Sequence, residues 1–286
     1  MIKPVTRKAL DIKVSGRSSD YITPSFIFGC GFECTYCYCK RHVTEGVTIA
    51  SNTSELLDAV NSHAYFCNVE KPNQTHPSLI TYDVGCNSDM ALHLKHWDWK
   101  MAFDFFKQHP VAMGTFATKY VNKELLSYNP EGKMRIRFSL MPQKYADILE
   151  PKTTKIIDRI KAINEFIEAG YDVHVNFSPV IVAEDWLYQY RLLFEGLDAL
   201  VDIKYKDRVK AEVIFLTHNE KKHVHNLLKN LPGEELLWTP AVQETKTSQY
   251  GGKNIRYRHE LKAQYIKDWL KIHDEVIPWN TVRYIF

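Results

Sequence analysis

Phe28-Gly-Cys-Gly-Phe-Glu-Cys-Thr-Tyr-Cys-Tyr-Cys39 sets Cys30, Cys34 and Cys37 in a C-x3-C-x2-C run, directly after a strand-like apolar segment, Ser25–Gly29. Three thiolates so close in sequence can hold three corners of a [4Fe–4S] cube, since cysteine sulfur is the usual ligand of such clusters. The fourth iron then has no protein ligand from this run and is open to a small molecule. Cys39 extends the run to C-x3-C-x2-C-x-C, and four cysteines can also bind structural zinc. Zinc sites usually split into two knuckles around a longer loop, and no second CxxC or HxxxH pair follows here. Phe32, Tyr36 and Tyr38 are interleaved with the thiols.

Outward from that run, strand-like stretches alternate with helical ones. Strands are expected at Ser25–Gly29, Leu79–Val84, Val111–Ala117, Met134–Leu140, Asp172–Pro179 and Ala211–Leu216. Helices are expected at Ser54–Ser62, Trp97–Gln108, Thr153–Ala169 and Glu184–Ala199. In Thr153–Ala169 one face carries Ile156, Ile157, Ile160, Ile163, Phe166 and Ile167, and Gly170 lies past its end. Alternation of this kind means parallel strands joined by right-handed crossovers. The fold class is therefore α/β, a partial (β/α)6 TIM-like barrel spanning residues 25–216. Residues 1–24 form an N-terminal extension, and residues 217–286 a C-terminal extension packed on the barrel. The latter reads as a helix, a Gly-rich hairpin, a long helix over His259–Glu275 and an edge strand at Arg283–Phe286.

The chain has 286 residues, 45% of them hydrophobic and 25% charged, enough for a sizeable core. No apolar run approaches the roughly 18–20 residues that span a bilayer, and the start is too polar for a signal peptide. Six cysteines, most of them in one cluster, do not form a secreted disulfide framework, and a reducing cytoplasm suits an oxygen-sensitive cluster. A net charge of +3 permits a nucleic-acid partner without requiring one.

A barrel places its chemistry where strands end and loops begin. Leu79–Val84 runs into Cys86-Asn-Ser-Asp89, so Cys86 would face the same mouth as the cysteine run. Alone, such a cysteine is as readily a small buried residue; at a mouth, its weak S–H bond makes it a hydrogen-atom donor. Lys119 and Ser139 also fall at strand ends. Each alone reads as well as a surface lysine or a serine satisfying backbone, and Tyr36 and Tyr38 as packing aromatics.

Taken together these segments carry a resemblance. The cysteine run resembles that of radical S-adenosylmethionine enzymes. Cys86-Asn-Ser-Asp, Tyr36 and Tyr38, Phe116-Ala-Thr-Lys119, Arg137-Phe-Ser139, Leu149-Glu-Pro-Lys-Thr, Arg159-Ile and Ala169-Gly-Tyr171 resemble, in order, segments of the spore photoproduct lyase family. The resemblance implies a lyase that repairs the UV-induced methylene-bridged thymine dimer in DNA through a 5′-deoxyadenosyl radical. It implies a [4Fe–4S] cluster on Cys30, Cys34 and Cys37. Tyr36, Ser88, Lys119 and Ser139 would bind S-adenosylmethionine, Cys86 would give the hydrogen atom, and Tyr36 and Tyr38 would return the radical. It also implies DNA as partner, an external flavodoxin- or ferredoxin-type reductant, a monomer and no membrane.

Thr247 to Arg258 mixes basic and aromatic residues around Gly251-Gly252, suited to phosphate contacts and base stacking. By the resemblance, Arg256 and Tyr257 would contact the lesion; the plain reading is a solvated surface hairpin. The chain departs from the family in its short segment before Cys30 and in Arg258-His259 after Tyr257. Cys39 and Cys67 receive no role. Two alternatives stand beside this reading: a radical enzyme acting on another nucleobase or a small molecule, and a non-catalytic, metal-stabilised nucleic-acid-binding protein.

Overall fold

The structure is a computed structural model that describes residues 2–37, 46–67, 69–247 and 251–286. In chain order it contains β1 (Ile2–Val5), β2 (Lys13–Val14), β3 (Tyr21–Ile22), β4 (Ile27–Phe28), β5 (Val47–Ala50), α1 (Thr53–Phe66), β6 (Ile80–Asp83), α2 (Trp99–Gln108) and β7 (Ala112–Thr118). There follow β8 (Met134–Leu140), α3 (Gln143–Leu149), α4 (Ile156–Glu168), β9 (Asp172–Val180), α5 (Trp186–Leu200), β10 (Lys210–Phe215), β11 (Thr217–His218) and α6 (Glu220–Leu228). The chain ends with α7 (Glu234–Leu237), β12 (Gln243–Thr247), β13 (Lys253–Tyr257), α8 (His259–Val276) and β14 (Thr281–Ile285).

Two compact units are assembled from interleaved stretches: Met1–Gly31, His42–Phe138 and Ala162–His174 in the first, and Phe32–Arg41, Ser139–Lys161 and Val175–Phe286 in the second. In the first unit the strand order is β2-β3-β6-β7-β8-β9, with β3–β6, β6–β7 and β7–β8 parallel. In the second unit the strand order is β8-β9-β10-β14, built from the ends of β8 and β9, with the last pair parallel. The crossover helices follow from sequence periodicity. Ile156, Ile160, Ile163, Phe166 and Ile167 of α4 are buried, each contributing roughly 1.5–3 kcal/mol. Ile157, expected on that face, is 44% exposed instead. Gly170 ends this run in the left-handed region at φ +90°, where a Cβ would lie 2.6 Å from Asn129 Oδ1.

All seven residues of β8 are buried, three of them polar. Its period-2 alternation explains how. Met134, Ile136, Phe138 and Leu140 share one face, where Phe138 meets Phe166 edge-on at 5.2 Å. On the other face Arg135 donates to Asp172 at 2.7 Å, and Arg137 to Asp83 at 2.6 Å, so each buried cation has a carboxylate.

The strand expected at Ser25–Gly29 is corrected. Only Ile27–Phe28 is extended, and it pairs antiparallel with β5 in a separate three-stranded sheet, β1-β5-β4. Gly29, at φ +96°, turns the chain out of that pairing. The neighbour of β6 is β3, whose two residues are too few to show a periodicity.

Candidate active site

In the first unit, β6 ends at Asp83 and the chain turns through Gly85-Cys86-Asn87-Ser88. Gly85 is required there, since a Cβ would meet Phe116 Cβ at 2.9 Å. Asp89 fastens the turn by accepting from the Ala91 amide at 3.2 Å, the Thr118 hydroxyl at 2.8 Å and the Lys119 amide at 2.7 Å. Thus the ends of β6 and β7, with Cys86, Ser88 and Lys119, are held as one piece. The same turn reaches the start of the cysteine run, for the Gly29 amide donates to the Asn87 carbonyl at 3.0 Å. The Asn87 side-chain amide donates to the Ser25 hydroxyl. Cys86 is part-exposed, as is Cys30. Ser88 Oγ is buried and has no hydrogen-bond partner among the described residues, an arrangement that costs free energy unless a ligand supplies one.

In the second unit, Cys34 is buried and Cys37 half-buried, and the Cys37 amide donates to the Cys34 carbonyl at 3.0 Å. Tyr36, between them, donates its phenol to Glu150. Burial, reinforced by the Glu150 charge, pushes this phenol well above its ordinary value, so it keeps its hydrogen at any physiological pH. Glu150 Oε2 accepts from Arg159 at 2.8 Å, in an ion pair with both side chains fully buried. Arg159 also donates at 2.7 Å to the Ser139 carbonyl, which fixes the end of β8. Asn176 on β9 buries an Oδ1 without a partner among the described residues.

The expected pair in the β12–β13 hairpin divides. Arg256 is partly exposed and bonds Glu244 across the strands at 2.9 Å. Tyr257 is 1% exposed, packs edge-on against Tyr265 at 5.5 Å, and accepts from the Val182 amide at 2.9 Å. Its ring packs in the core, whereas the Arg256 side chain stays partly exposed. Tyr38 and Cys39 lie outside the described residues. Cys67, at the end of α1, has its sulfur 3.1 Å from the Tyr21 hydroxyl.

A family model described as spore photoproduct lyase matches residues 4–286. The chain belongs to the spore photoproduct lyase family. The spore photoproduct lyase of Bacillus subtilis (strain 168) is 29% identical over 264 residues, covering 90% of this chain and 74% of the relative. That of Clostridium acetobutylicum is 26% identical over 290 residues, covering 98% and 80%. Among solved structures, a spore photoproduct lyase complexed with dinucleoside spore photoproduct superposes with a TM-score of 0.87 at 22% identity, over all of this chain and 82% of the other. A double mutant with bound AdoMet and dinucleoside spore photoproduct gives 0.86 at 21% identity, with the same coverage. These likenesses establish the fold as the α/β partial barrel expected from the sequence.

The family's groups fit the residues present. Cys30, Cys34 and Cys37 offer soft sulfur donors and none is in a disulfide. The buried, unpaired Ser88 hydroxyl offers the donor that an amino-acid carboxylate needs. Asn87, Asp89 and Glu150 lie in segments that carry the resemblance, but sequence reasoning gave none of them a role. Their roles rest on carbonyl and carboxylate contacts to distant segments, which no local pattern announces.

Proposed function

We propose that this protein is a radical S-adenosylmethionine lyase that restores two thymines from the methylene-bridged dimer in DNA. Membership of the family supports the reaction, and the buried, unpaired Ser88 hydroxyl beside part-exposed Cys86 is the observation that carries its placement. Cys30, Cys34 and Cys37 hold the [4Fe–4S] cluster, and Tyr36, Ser88, Lys119 and Ser139 hold S-adenosylmethionine. Together these groups, when bound, supply the radical that takes a hydrogen atom from the dimer.

The chain's own residues do the rest. The damaged step leaves the base stack more readily than an intact one and enters the site. Once the methylene bridge has broken, the Cys86 S–H bond breaks homolytically and its hydrogen forms a C–H bond on the thymine radical. The unpaired electron stays on sulfur until Tyr36 and Tyr38 pass a hydrogen atom to it, and a hydrogen atom from 5′-deoxyadenosine would then return the tyrosine to its phenol. Glu150, itself held by Arg159, fixes Tyr36 and, with burial, favours its neutral form for that task. Arg256 and Tyr257 serve as the contacts to the nucleic acid, Tyr257 through the hairpin it anchors. A flavodoxin- or ferredoxin-type protein reduces the cluster, and the enzyme works as a cytoplasmic monomer.

The test is anaerobic reconstitution with iron, sulfide, dithionite and S-adenosylmethionine, with a synthetic spore-photoproduct dinucleotide followed by mass spectrometry. Recovery of the thymine dinucleotide is the expected result. Formation of 5′-deoxyadenosine with the dimer left intact would move the protein to another substrate.

A further inference from the structure

Outside the residues assigned so far, the second unit holds a cluster of His218, His223 and Glu234 whose candidate ligand atoms lie within 4.8 Å of one another. Its geometry is that of hydrogen bonds. His218 Nε2 lies 2.9 Å and His223 Nδ1 2.6 Å from the same oxygen, Glu234 Oε1. Ligand atoms around a tetrahedral ion with bonds of about 2.0–2.1 Å stand roughly 3.3 Å apart. Metal at His218 Nε2 would also put the ring proton on Nδ1, which is buried and without a partner among the described residues. Burial raises the Glu234 pKa, but bonds from His218, Asn226 and His223 outweigh it and hold the group below its ordinary value. The cluster is therefore a carboxylate fixed from several sides.

What this carboxylate holds is Asn226, fully buried on α6. The Asn226 amide donates at 2.6 Å to Glu234 Oε2 and at 3.1 Å to the carbonyl of Thr35. Both neighbours are acceptors, so the amide must present its NH2 to them, and its own Oδ1 is left buried and unpaired. A side chain that only filled space would not need that orphaned oxygen. Thr35 is itself fully buried and lies between Cys34 and Cys37. Its amide donates to the Leu149 carbonyl at 3.0 Å and its hydroxyl to the Pro232 carbonyl at 2.9 Å. Gly233, at φ +78°, lets this segment lie close on α3, for a Cβ there would sit 2.6 Å from Leu149 Cδ2. Every polar group of Thr35 is thus fastened to a residue far away in sequence.

We propose that Asn226 is a positioning residue for the cysteine loop, with Glu234 as its anchor and His218 and His223 as the brace of that anchor. The tie fixes the backbone between Cys34 and Cys37 before any iron arrives. The inference rests on the reading of those cysteines as cluster ligands.

The experiment uses full-length protein with Asn226→Ala, and with Thr35→Val as a second variant that removes only the tie to Pro232. Hydrogen exchange of the peptide covering 32–37 is read first in the metal-free protein. Iron loss from the reconstituted protein to a chelator is read second. Asn226→Ala is expected to speed exchange in that peptide and iron loss roughly tenfold, about the size of losing the one buried hydrogen bond it makes to the loop, while exchange in β10 stays as in wild type. Thr35→Val should move both readouts in the same direction by less, and the nearly isosteric Asn226→Leu, which removes the same two donors without a cavity, decides the matter if Asn226→Ala does not fold. Unchanged loop exchange in the folded variants, or a rise shared equally by β10, overturns the proposal. Failure of the wild-type protein to take up iron would instead overturn the cluster reading and leave the exchange result standing.

Discussion

The turn after β6 and the β12–β13 hairpin were both singled out for chemistry, and their polar groups are in opposite states. In the turn, Asp89 and Asn87 spend their bonds on holding the backbone, and the Ser88 hydroxyl is buried with no partner among the described residues. In the hairpin, Arg256 already has Glu244 and Tyr257 already has the Val182 amide. A buried group left unsatisfied is costly in the absence of a ligand. One that is satisfied internally is accounted for by folding alone. The difference sets the Ser88 hydroxyl, which a bound molecule would satisfy, apart from the Tyr257 oxygen, which the fold already satisfies, and it forecasts which measurement each mutation moves.

The largest effect belongs to Cys86. Cys86→Ala should lower the yield of thymine dinucleotide by roughly 10²-fold or more, the scale of a positioned hydrogen-transfer group, and divert product to an adduct detectable by mass spectrometry. Iron content and thermal stability should stay as in wild type; a parallel loss of either would make Cys86 structural. Arg159→Met probes the opposite class. It leaves Glu150 charged and buried without its cation, which costs about 3–5 kcal/mol when one partner of a buried pair is removed. Urea unfolding of the metal-free protein should report that loss, and a midpoint like wild type would break the comparison.

Ser88→Ala sharpens it further. Removing an unpaired buried hydroxyl should not lower stability, yet it should weaken S-adenosylmethionine binding by roughly 10-fold to 100-fold, as for a hydrogen bond to a charged group. Equilibrium binding to the reconstituted protein measures this. A stability loss with unchanged affinity would place Ser88 with the hairpin residues.

Much of this was legible in the sequence, for particular reasons. Met134–Leu140 was drawn with its observed bounds because alternating Met, Ile, Phe and Leu define a strand whatever lies between them. The α4 face was legible apart from Ile157, since helical periodicity does not say how wide the buried stripe is. Ile27–Phe28 misled, because an apolar stretch before the cysteine run looks the same whether it joins the large sheet or pairs with β5. At the candidate site, residue type and order were enough to single out Cys30, Cys34, Cys37 and Cys86. Glu150 and Asn226 did not, because their importance lies in partners at Tyr36, Arg159 and Thr35 that only the fold supplies. The burial of Tyr257 was illegible for the same reason: an Arg-Tyr pair in a basic hairpin does not disclose which of its members faces the core.

The smallest expected effects are those of the hairpin pair. Tyr257→Phe keeps the ring and removes the oxygen that accepts from Val182, leaving a buried amide unpaired. The expected loss is about 1 kcal/mol of stability, with the affinity for a dimer-containing oligonucleotide unchanged. Arg256→Ala removes a partly exposed ion pair, of the kind worth about 0–1 kcal/mol, so its stability should hardly move. If Arg256 meets phosphate, however, its loss should weaken oligonucleotide binding and flatten the salt dependence by about one charge. The two neighbours therefore separate on two axes, stability for Tyr257 and salt-dependent affinity for Arg256. If Tyr257→Phe weakened binding while leaving stability intact, the hairpin would have to open on DNA and expose that hydroxyl, and internal satisfaction would no longer distinguish a structural residue from a functional one.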